Sequence, residues 1–206
     1  MMDGALRVPA SRIVLFWAIA LGGAAFDLTT KSLIFARVGQ PGSSPLPLVA
    51  DILEFRTSYN PGALWGFGRG MSYSPLIFAA LSIIAGAGIC WWLFARGGAR
   101  DLRYTMALGL IMAGAIGNCY DRLRYGQVRD FVHFHVDAIR FDFAIFNFAD
   151  NMLVVGALAL LLLALRPEPA SADEPRTDAK PTIADTDLAE TARPAHATPG
   201  SPKSGF

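Results

Sequence analysis

Four long apolar runs alternate with polar segments along this chain of 206 residues. At about 1.5 Å per residue in a helix, each run approaches or exceeds the roughly 30 Å hydrocarbon thickness of a bilayer. The pattern therefore predicts an α-helical polytopic membrane protein with four transmembrane helices. The predicted helices cover residues 12–36, 75–95, 104–121 and 144–165.

Composition divides the chain into three parts. A short polar lead at 1–11 precedes a membrane domain at 12–166. Residues 167–206 are rich in Pro, Ala, Thr and acidic residues, with few large apolar side chains. Such a segment cannot bury enough apolar surface to fold, so we expect a disordered tail. A cleaved signal peptide is the alternative interpretation of the first run. We favour a membrane span because the helical pattern continues past any cleavage point and further spans follow.

The polar connections predict a small β-rich element at the membrane surface. Residues 49–60, VADILEFRTSYN, alternate loosely enough for a strand. The turn signal NPG at 60–62 and the run ALWGF at 63–67 then suggest a β-hairpin. The alternating run FVHFHVDAIRFDF within 122–143 favours either a strand or an interfacial helix.

Four spans place both termini on the same side of the membrane. Basic residues divide poorly between the two sides, so a raw count does not assign the orientation. The short loop at 95–103 carries three arginines and favours cytoplasmic termini. The lead and the tail are then cytoplasmic, and the connections at 37–74 and 122–143 face the periplasm.

Composition argues against a soluble domain, and charge and cysteine content point to no other class of protein. Hydrophobic residues make up 53% of the chain and charged residues 17%, below the roughly 25% usual for soluble domains. The net charge of +1 gives no indication of nucleic-acid binding. Two cysteines do not define a disulfide framework.

Three of the predicted spans carry polar residues at positions i, i+3 and i+4, a spacing that places them on one helix face. With alternating span directions, all three groups lie at the same side of the membrane. Ordinary polarity at helix ends is the alternative explanation. Three groups on one side, with Asp130 in the adjoining loop, favour a single polar site. The groups are Asp27/Thr30/Lys31, Asn118/Asp121/Arg122 and Asn147/Asp150/Asn151.

Two carboxylates, Asp130 and Asp150, are the candidates for chemistry. A carboxylate in or beside hydrocarbon is costly and suggests a function. Two that converge suggest acid–base catalysis. The alternatives are a proton-coupled transporter or channel and a non-catalytic assembly protein. His133 and His135 alternate along the chain, but a zinc site needs a third ligand and no HExxH motif is present. We therefore predict no metal.

Four motifs resemble those of bacterial lipoprotein signal peptidases, the signal peptidase II family. They occur in the family's order and cover residues 27 to 156. The run GNCYDRLRYGQVRDF resembles the family pattern GNxxDRxxxGxVxDF, and FNFAD at 146–150 resembles FNxAD. DLTTK at 27–31 is similar to DQxTK, with Leu28 in place of Gln, and NPGALWGF at 60–67 is similar to NxGAxF.

The resemblance implies an aspartic endopeptidase of the bacterial inner membrane, with its active site near the periplasmic face. Its substrates would be diacylglyceryl-modified prolipoproteins, cut before the lipidated Cys, with membrane lipid as a further partner. No cofactor, metal or nucleic acid is implied, and we expect a monomer. By motif position Asp130 and Asp150 are the catalytic pair. The positions expected to bind substrate or support the pair are Asp27, Asn60, Gly114, Asn118, Asp121, Arg122 and Asn147.

Overall fold

The computed structural model describes residues 8–62 and 73–166. It is predominantly helical, with one small sheet. The helices are α1 (Ala10–Val38), α2 (Ser74–Cys90), α3 (Leu102–Tyr125) and α4 (Phe148–Ala164). The strands are β1 (Leu46–Val49), β2 (Leu53–Asn60), β3 (Val128–Val136) and β4 (Phe141–Asp142).

Local sequence signals fix the ends of two helices. The Asp101 side chain accepts a hydrogen bond from the Arg103 amide at 2.8 Å and caps the start of α3. The helix ends at Gly126, which has a φ of 71°. At the start of α4, Asn147 and Asp150 form a reciprocal capping box.

Helix α3 is the central element, because it packs against α1, α2 and α4. Small residues permit the close approach of α4. A Cβ on Gly114 would overlap the Ala149 carbonyl and lie 2.7 Å from the Leu153 side chain. A Cβ on Gly117 would overlap the Asp27 carboxylate. The small residues of α3 therefore bring three helices together around one polar region.

The distribution of side chains is inverted relative to that of a soluble domain. Large apolar residues such as Val14, Ile84 and Leu162 are exposed, whereas Asp27 and Lys31 are fully buried. Two of the described helices, Ala10–Val38 and Ser74–Ala95, are long and apolar enough to cross a membrane. A further apolar helix, Phe148–Ala164, is shorter, and α3 is not among the helices that meet this criterion. This arrangement is typical of a protein surrounded by lipid.

The sheet is antiparallel with the strand order β1-β2-β3-β4. The strand predicted within 49–60 is present as β2, but it pairs with β1 on one side and β3 on the other. The predicted partner ALWGF lies outside the described residues, as does the tail at 167–206. The segment 122–143 contains strand β3, so of the two alternatives the strand is correct.

Two helix boundaries differ clearly from those that the sequence predicts. Helix α3 continues past residue 121 to Tyr125. The last helix begins at Phe148 and not at 144, because Phe146 pairs with Val132 and extends the edge of the sheet. Residues 144–146 are as apolar as the helix that follows them, so composition alone did not separate the two segments. By contrast, the helix predicted at 75–95 is present as Ser74–Ala95, in which α2 continues beyond Cys90 as a π-helical turn, Trp91–Ala95.

Candidate active site

Asp130 lies in β3, where it is 2% exposed. One carboxylate oxygen, Oδ1, accepts a hydrogen bond from the Asn147 amide nitrogen at 2.6 Å. The other, Oδ2, accepts one from the Asn60 amide nitrogen at 3.2 Å. Strand pairing sets this geometry, since β2 and β3 are antiparallel and Asn60 pairs with Val128, two residues before Asp130. The carboxylate is thus held on both oxygens by neutral donors.

Asp150 lies in the first turn of α4, where the capping box orients it. Its Oδ2 accepts a hydrogen bond from the Asn147 backbone amide at 3.2 Å, and the Asp150 amide donates to Asn147 Oδ1 at 3.0 Å. Its Oδ1 accepts one from Asn118 at 2.8 Å. Asn147 and Asp150 therefore both cap the start of α4 and assemble the site.

Two asparagines connect the carboxylates. Asn147 Nδ2 donates to Asp130 and also to Asn118 Oδ1, the latter at 3.2 Å. Asn118 in turn donates to Asp150. A continuous chain of hydrogen bonds thus runs from Asp130 through Asn147 and Asn118 to Asp150. Such a network fixes the relative orientation of the two carboxylates.

A buried charge network lies beneath this chain. Lys31 Nζ is 2.7 Å from Asp27 Oδ2 and 3.2 Å from Asp121 Oδ2, and all three side chains are fully buried. The same ammonium donates to Asn118 Oδ1 at 2.9 Å. Lys31 therefore joins the charge network to the asparagine that holds Asp150.

The charge network also positions the backbone on both sides of the site. Asp121 accepts hydrogen bonds from the Arg129 guanidinium at 2.9 and 3.1 Å and from the Arg129 amide at 3.0 Å. These bonds attach β3, next to Asp130, to the end of α3. Asp27 Oδ1 accepts one from the Ala149 amide at 2.8 Å, next to Asp150. Two carboxylates and two cations balance in charge, which is the condition for burying such a group.

Arg122 contacts the loop after β2. Its guanidinium donates to the Gly62 carbonyl at 3.1 Å and to the Asn118 carbonyl at 3.3 Å. The Gly62 amide donates to Asn60 Oδ1 at 3.1 Å. The loop that carries Asn60 is thereby attached to the end of α3.

The structure brings together eight of the nine predicted site residues by hydrogen bonds or ion pairs, and Gly114 packs α3 against α4 beneath them. Two members of the polar groups lie apart from this network. The Thr30 hydroxyl bonds to its own helix at Phe26 and Asp27, and Asn151 is exposed. Lys31 was predicted as a member of the first polar group but was given no role in the site, and Arg129 was not predicted. Lys31 follows Asp27 by one helical turn, a spacing that was available as a signal, whereas nothing in the sequence marked Arg129.

Burial raises the pKa of Asp130 to about 7, with a further contribution from the negative charge of Asp150. Its hydrogen bonds to Asn147 and Asn60 lower the pKa but do not outweigh the burial. A carboxyl group of this kind exchanges a proton near neutral pH, as an acid–base catalyst requires.

Fold and site together define a helical membrane protein in which two carboxylates, Asp130 on β3 and Asp150 at the start of α4, are joined by a chain of hydrogen bonds. A family model described as "Signal peptidase (SPase) II" matches residues 19–166. A lipoprotein signal peptidase of Rhodopirellula baltica is 37% identical over 166 residues, covering 75% of this chain and 73% of that protein. The lipoprotein signal peptidase of Paraburkholderia phymatum is 36% identical over 167 residues, covering 80% and 96%.

A solved structure gives the same result. It is a bacterial membrane enzyme determined by the in meso method at 2.3 Å resolution, and it aligns with a TM-score of 0.63 at 28% identity. The alignment covers 77% of this chain and 90% of that chain. The chain belongs to the signal peptidase II family, as its motifs predict. It is therefore a peptidase, and the transporter or channel alternative is not supported.

Proposed function

We propose that this family member is an aspartic endopeptidase that removes the signal peptide from diacylglyceryl-modified prolipoproteins, with Asp130 and Asp150 as the catalytic pair. The observation that carries the proposal is the hydrogen-bond chain from Asp130 through Asn147 and Asn118 to Asp150. It joins two carboxylates that lie on different elements, and both are held by neutral amides. Neutral donors leave the pair free to share one proton.

The two carboxylates divide the chemistry between them. Because neighbouring carboxylates do not both ionise cheaply, the pair holds one proton near neutral pH. The ionised member removes a proton from a water molecule, which attacks the scissile carbonyl carbon. The protonated member donates to the developing oxyanion, and the proton then passes to the leaving amine as the peptide bond breaks. The proton belongs to the pair and not to one residue.

The position of the pair explains why the substrate carries lipid. Asp150 begins an apolar helix, and the outer faces of α1, α2 and α4 present apolar side chains. The diacylglyceryl chains of a substrate can therefore remain in hydrocarbon while its peptide bond reaches the carboxylates. We propose that Arg122 and Asn60 help to hold the substrate, since both fix the loop at Gly62.

Cleavage of a lipid-modified substrate tests the proposal directly. The purified full chain in mixed lipid–detergent micelles is expected to cut a diacylglyceryl-modified prolipoprotein immediately before the modified Cys, as measured by mass spectrometry of both products. The unmodified precursor serves as the matched control and should be cut far more slowly. Cleavage of neither substrate, or equal cleavage of both, would contradict the proposed specificity.

The pKa of Asp130 predicts the pH dependence of turnover. Because this pKa is raised to about 7, the pair loses its shared proton as the pH rises above that value, and the general acid is lost. We expect kcat/KM to fall above about pH 7, approaching tenfold per pH unit, and to fall again in acid when both carboxyls are protonated. A profile that stays flat from about pH 6 to pH 9 would exclude a proton shared at Asp130.

We also propose four spans, with the sheet and the active site at the periplasmic face of the inner membrane. The lead at 1–11 and the tail at 167–206 are then cytoplasmic, the domain at 12–166 carries the whole activity, and the enzyme acts as a monomer without a cofactor. The convergence of polar residues from α1, α3 and α4 on one network supports alternating spans, and the three arginines at 95–103 support the orientation.

Single cysteines test the orientation. Ser43 and Ala138 are exposed in the two connections near the sheet, and Ala95 is exposed in the loop at 95–103, where its replacement keeps the three arginines. Each is changed to Cys in a chain lacking Cys90 and Cys119, and intact cells are treated with a membrane-impermeant thiol reagent. We expect labelling at positions 43 and 138 and none at position 95 until the cells are opened. The reverse pattern would invert the topology and place the site in the cytoplasm.

A further inference from the structure

A second polar cluster lies on the sheet, away from the Asp130 network. It lines a pocket of about 610 Å³ whose walls come from β1, β2, β3 and β4. None of the predicted site residues lines this pocket. Glu54 of β2 pairs directly with His133 of β3, and His135 lies on the same face two residues further along. The proposed peptidase chemistry uses none of these three residues.

The three side chains present potential ligand atoms to one another. Glu54 Oε1 lies 2.8 Å from His133 Nδ1, and Glu54 Oε2 lies 3.9 Å from His135 Nε2. The two imidazole rings are stacked, with centroids 5.0 Å apart. One ligand atom from each residue lies within 4.8 Å of the others. Ligand atoms around a tetrahedral zinc ion are roughly 3.3–3.5 Å apart, so shifts on the order of 1 Å would bring these three atoms to zinc-binding positions and leave the fourth position to water.

The remaining nitrogen of each histidine contacts a carboxylate. His133 Nε2 lies 2.6 Å from Asp142 Oδ1, and His135 Nδ1 lies 3.0 Å from Asp137 Oδ1. In protein metal sites, a carboxylate of this kind fixes the tautomer and leaves the opposite ring nitrogen directed at the metal. Here the opposite nitrogens are the two that approach Glu54. Each histidine thus contacts one carboxylate besides Glu54, Asp142 for His133 and Asp137 for His135. Hydrogen bonding to Glu54 alone would not require these additional partners.

The charge of the pocket favours a cation. Four carboxylates line it against two guanidinium groups, which leaves a formal charge of −2 with neutral histidines. Arg56 Nε lies 2.8 Å from Glu54 Oε1, so one carboxylate oxygen of Glu54 is already paired with this arginine. The second oxygen, Oε2, faces His135. Two imidazoles and one carboxylate form a ligand set suited to zinc.

We propose that Glu54, His133 and His135 bind a zinc ion that joins β2 to β3, with Asp142 and Asp137 orienting the histidines. Because β3 also carries Asp130, the ion would stabilise the sheet from the face away from the catalytic pair. Its role is structural, and the peptidase chemistry proposed above proceeds without it.

Zinc binding by the full chain tests the proposal. The protein is purified with a tag that contains no histidine, stripped with a chelator and dialysed against Zn²⁺, and bound metal is measured by mass spectrometry. We expect one equivalent for the wild type and at least a tenfold weaker affinity for His133→Ala and His135→Ala. His196→Ala, which removes the third histidine of the chain, is the control and should bind like the wild type. Failure of the wild type to bind one equivalent, or unchanged binding by both β3 variants, would overturn the proposal.

A second variant separates metal binding from folding. The Asp142 side chain is 76% exposed, so Asp142→Asn should leave the fold intact. We expect it to weaken zinc affinity by roughly 10–100-fold, as removal of a carboxylate behind a histidine ligand does elsewhere. Zinc should raise the unfolding temperature of the wild type, and that rise should shrink in Asp142→Asn at the same zinc concentration. An equal rise in both proteins would contradict the proposed site, whether or not prolipoprotein is cleaved.

Discussion

Asp130→Asn and Asp150→Asn are each expected to abolish prolipoprotein cleavage while the protein still inserts and folds. Asparagine keeps the size of the side chain but neither takes a proton from water nor shares one with its neighbour. A positioned acid or base contributes about 10²–10⁴-fold, so we expect kcat to fall by at least that factor in either variant. Product formation over long incubations, measured by mass spectrometry, gives the sensitivity required.

Asp101→Asn is the matched control for this pair. It makes the same chemical change at the start of α3, outside the site, and asparagine also caps helices well. The control should cleave normally, and all three variants should show wild-type insertion and unfolding temperatures. Near-normal turnover by either Asp130→Asn or Asp150→Asn would remove that residue from the mechanism. It would also favour the non-catalytic alternative, in which neither carboxylate is required.

The helices were predictable because charged residues are rare within apolar runs. Asp27, Asp121 and Asp150 stand out in the sequence, and the spacing of three or four residues indicates a shared helix face. Alternating directions then place the three side chains at one side of the membrane. The structure agrees in that all three side chains belong to one network of hydrogen bonds and ion pairs. It differs for Thr30 and Asn151, because spacing assigns a face but does not decide whether a side chain reaches a neighbouring helix.

The sheet was only partly predictable, because strand pairing depends on residues far apart in the chain. β2 has the alternation of a strand, yet nothing local indicates that β3, more than 60 residues later, occupies one of its edges. For the same reason the sequence showed the alternation of His133 and His135 but not the third residue of the proposed zinc site, and it led us to predict no metal. Glu54 meets His133 only through this pairing, across 79 residues. The buried position of Lys31 was not predictable for another reason, since a lysine at a helix end usually extends towards water.

Lys31→Met is expected to destabilise the protein and reduce cleavage together. The substitution removes the cation between Asp27 and Asp121, and two fully buried carboxylates lose a partner at 2.7 and 3.2 Å. Breaking a buried ion pair from one side typically costs about 3–5 kcal/mol. The unfolding midpoint in detergent measures this loss. Arg37→Met removes an exposed cation from the same helix and should have little effect.

A double variant then separates stability from positioning of the catalytic pair. In Lys31→Met with Asp27→Asn, one unpaired carboxylate is removed, and Asp121 still has Arg129 at 2.9 Å. We expect the unfolding midpoint to recover in part. Turnover should remain low, because Asn118 loses the ammonium that holds its oxygen at 2.9 Å and so orients its amide towards Asp150. Recovery of kcat together with stability would show that Lys31 only neutralises buried charge, and an unchanged midpoint in Lys31→Met would show that the network does not stabilise the fold.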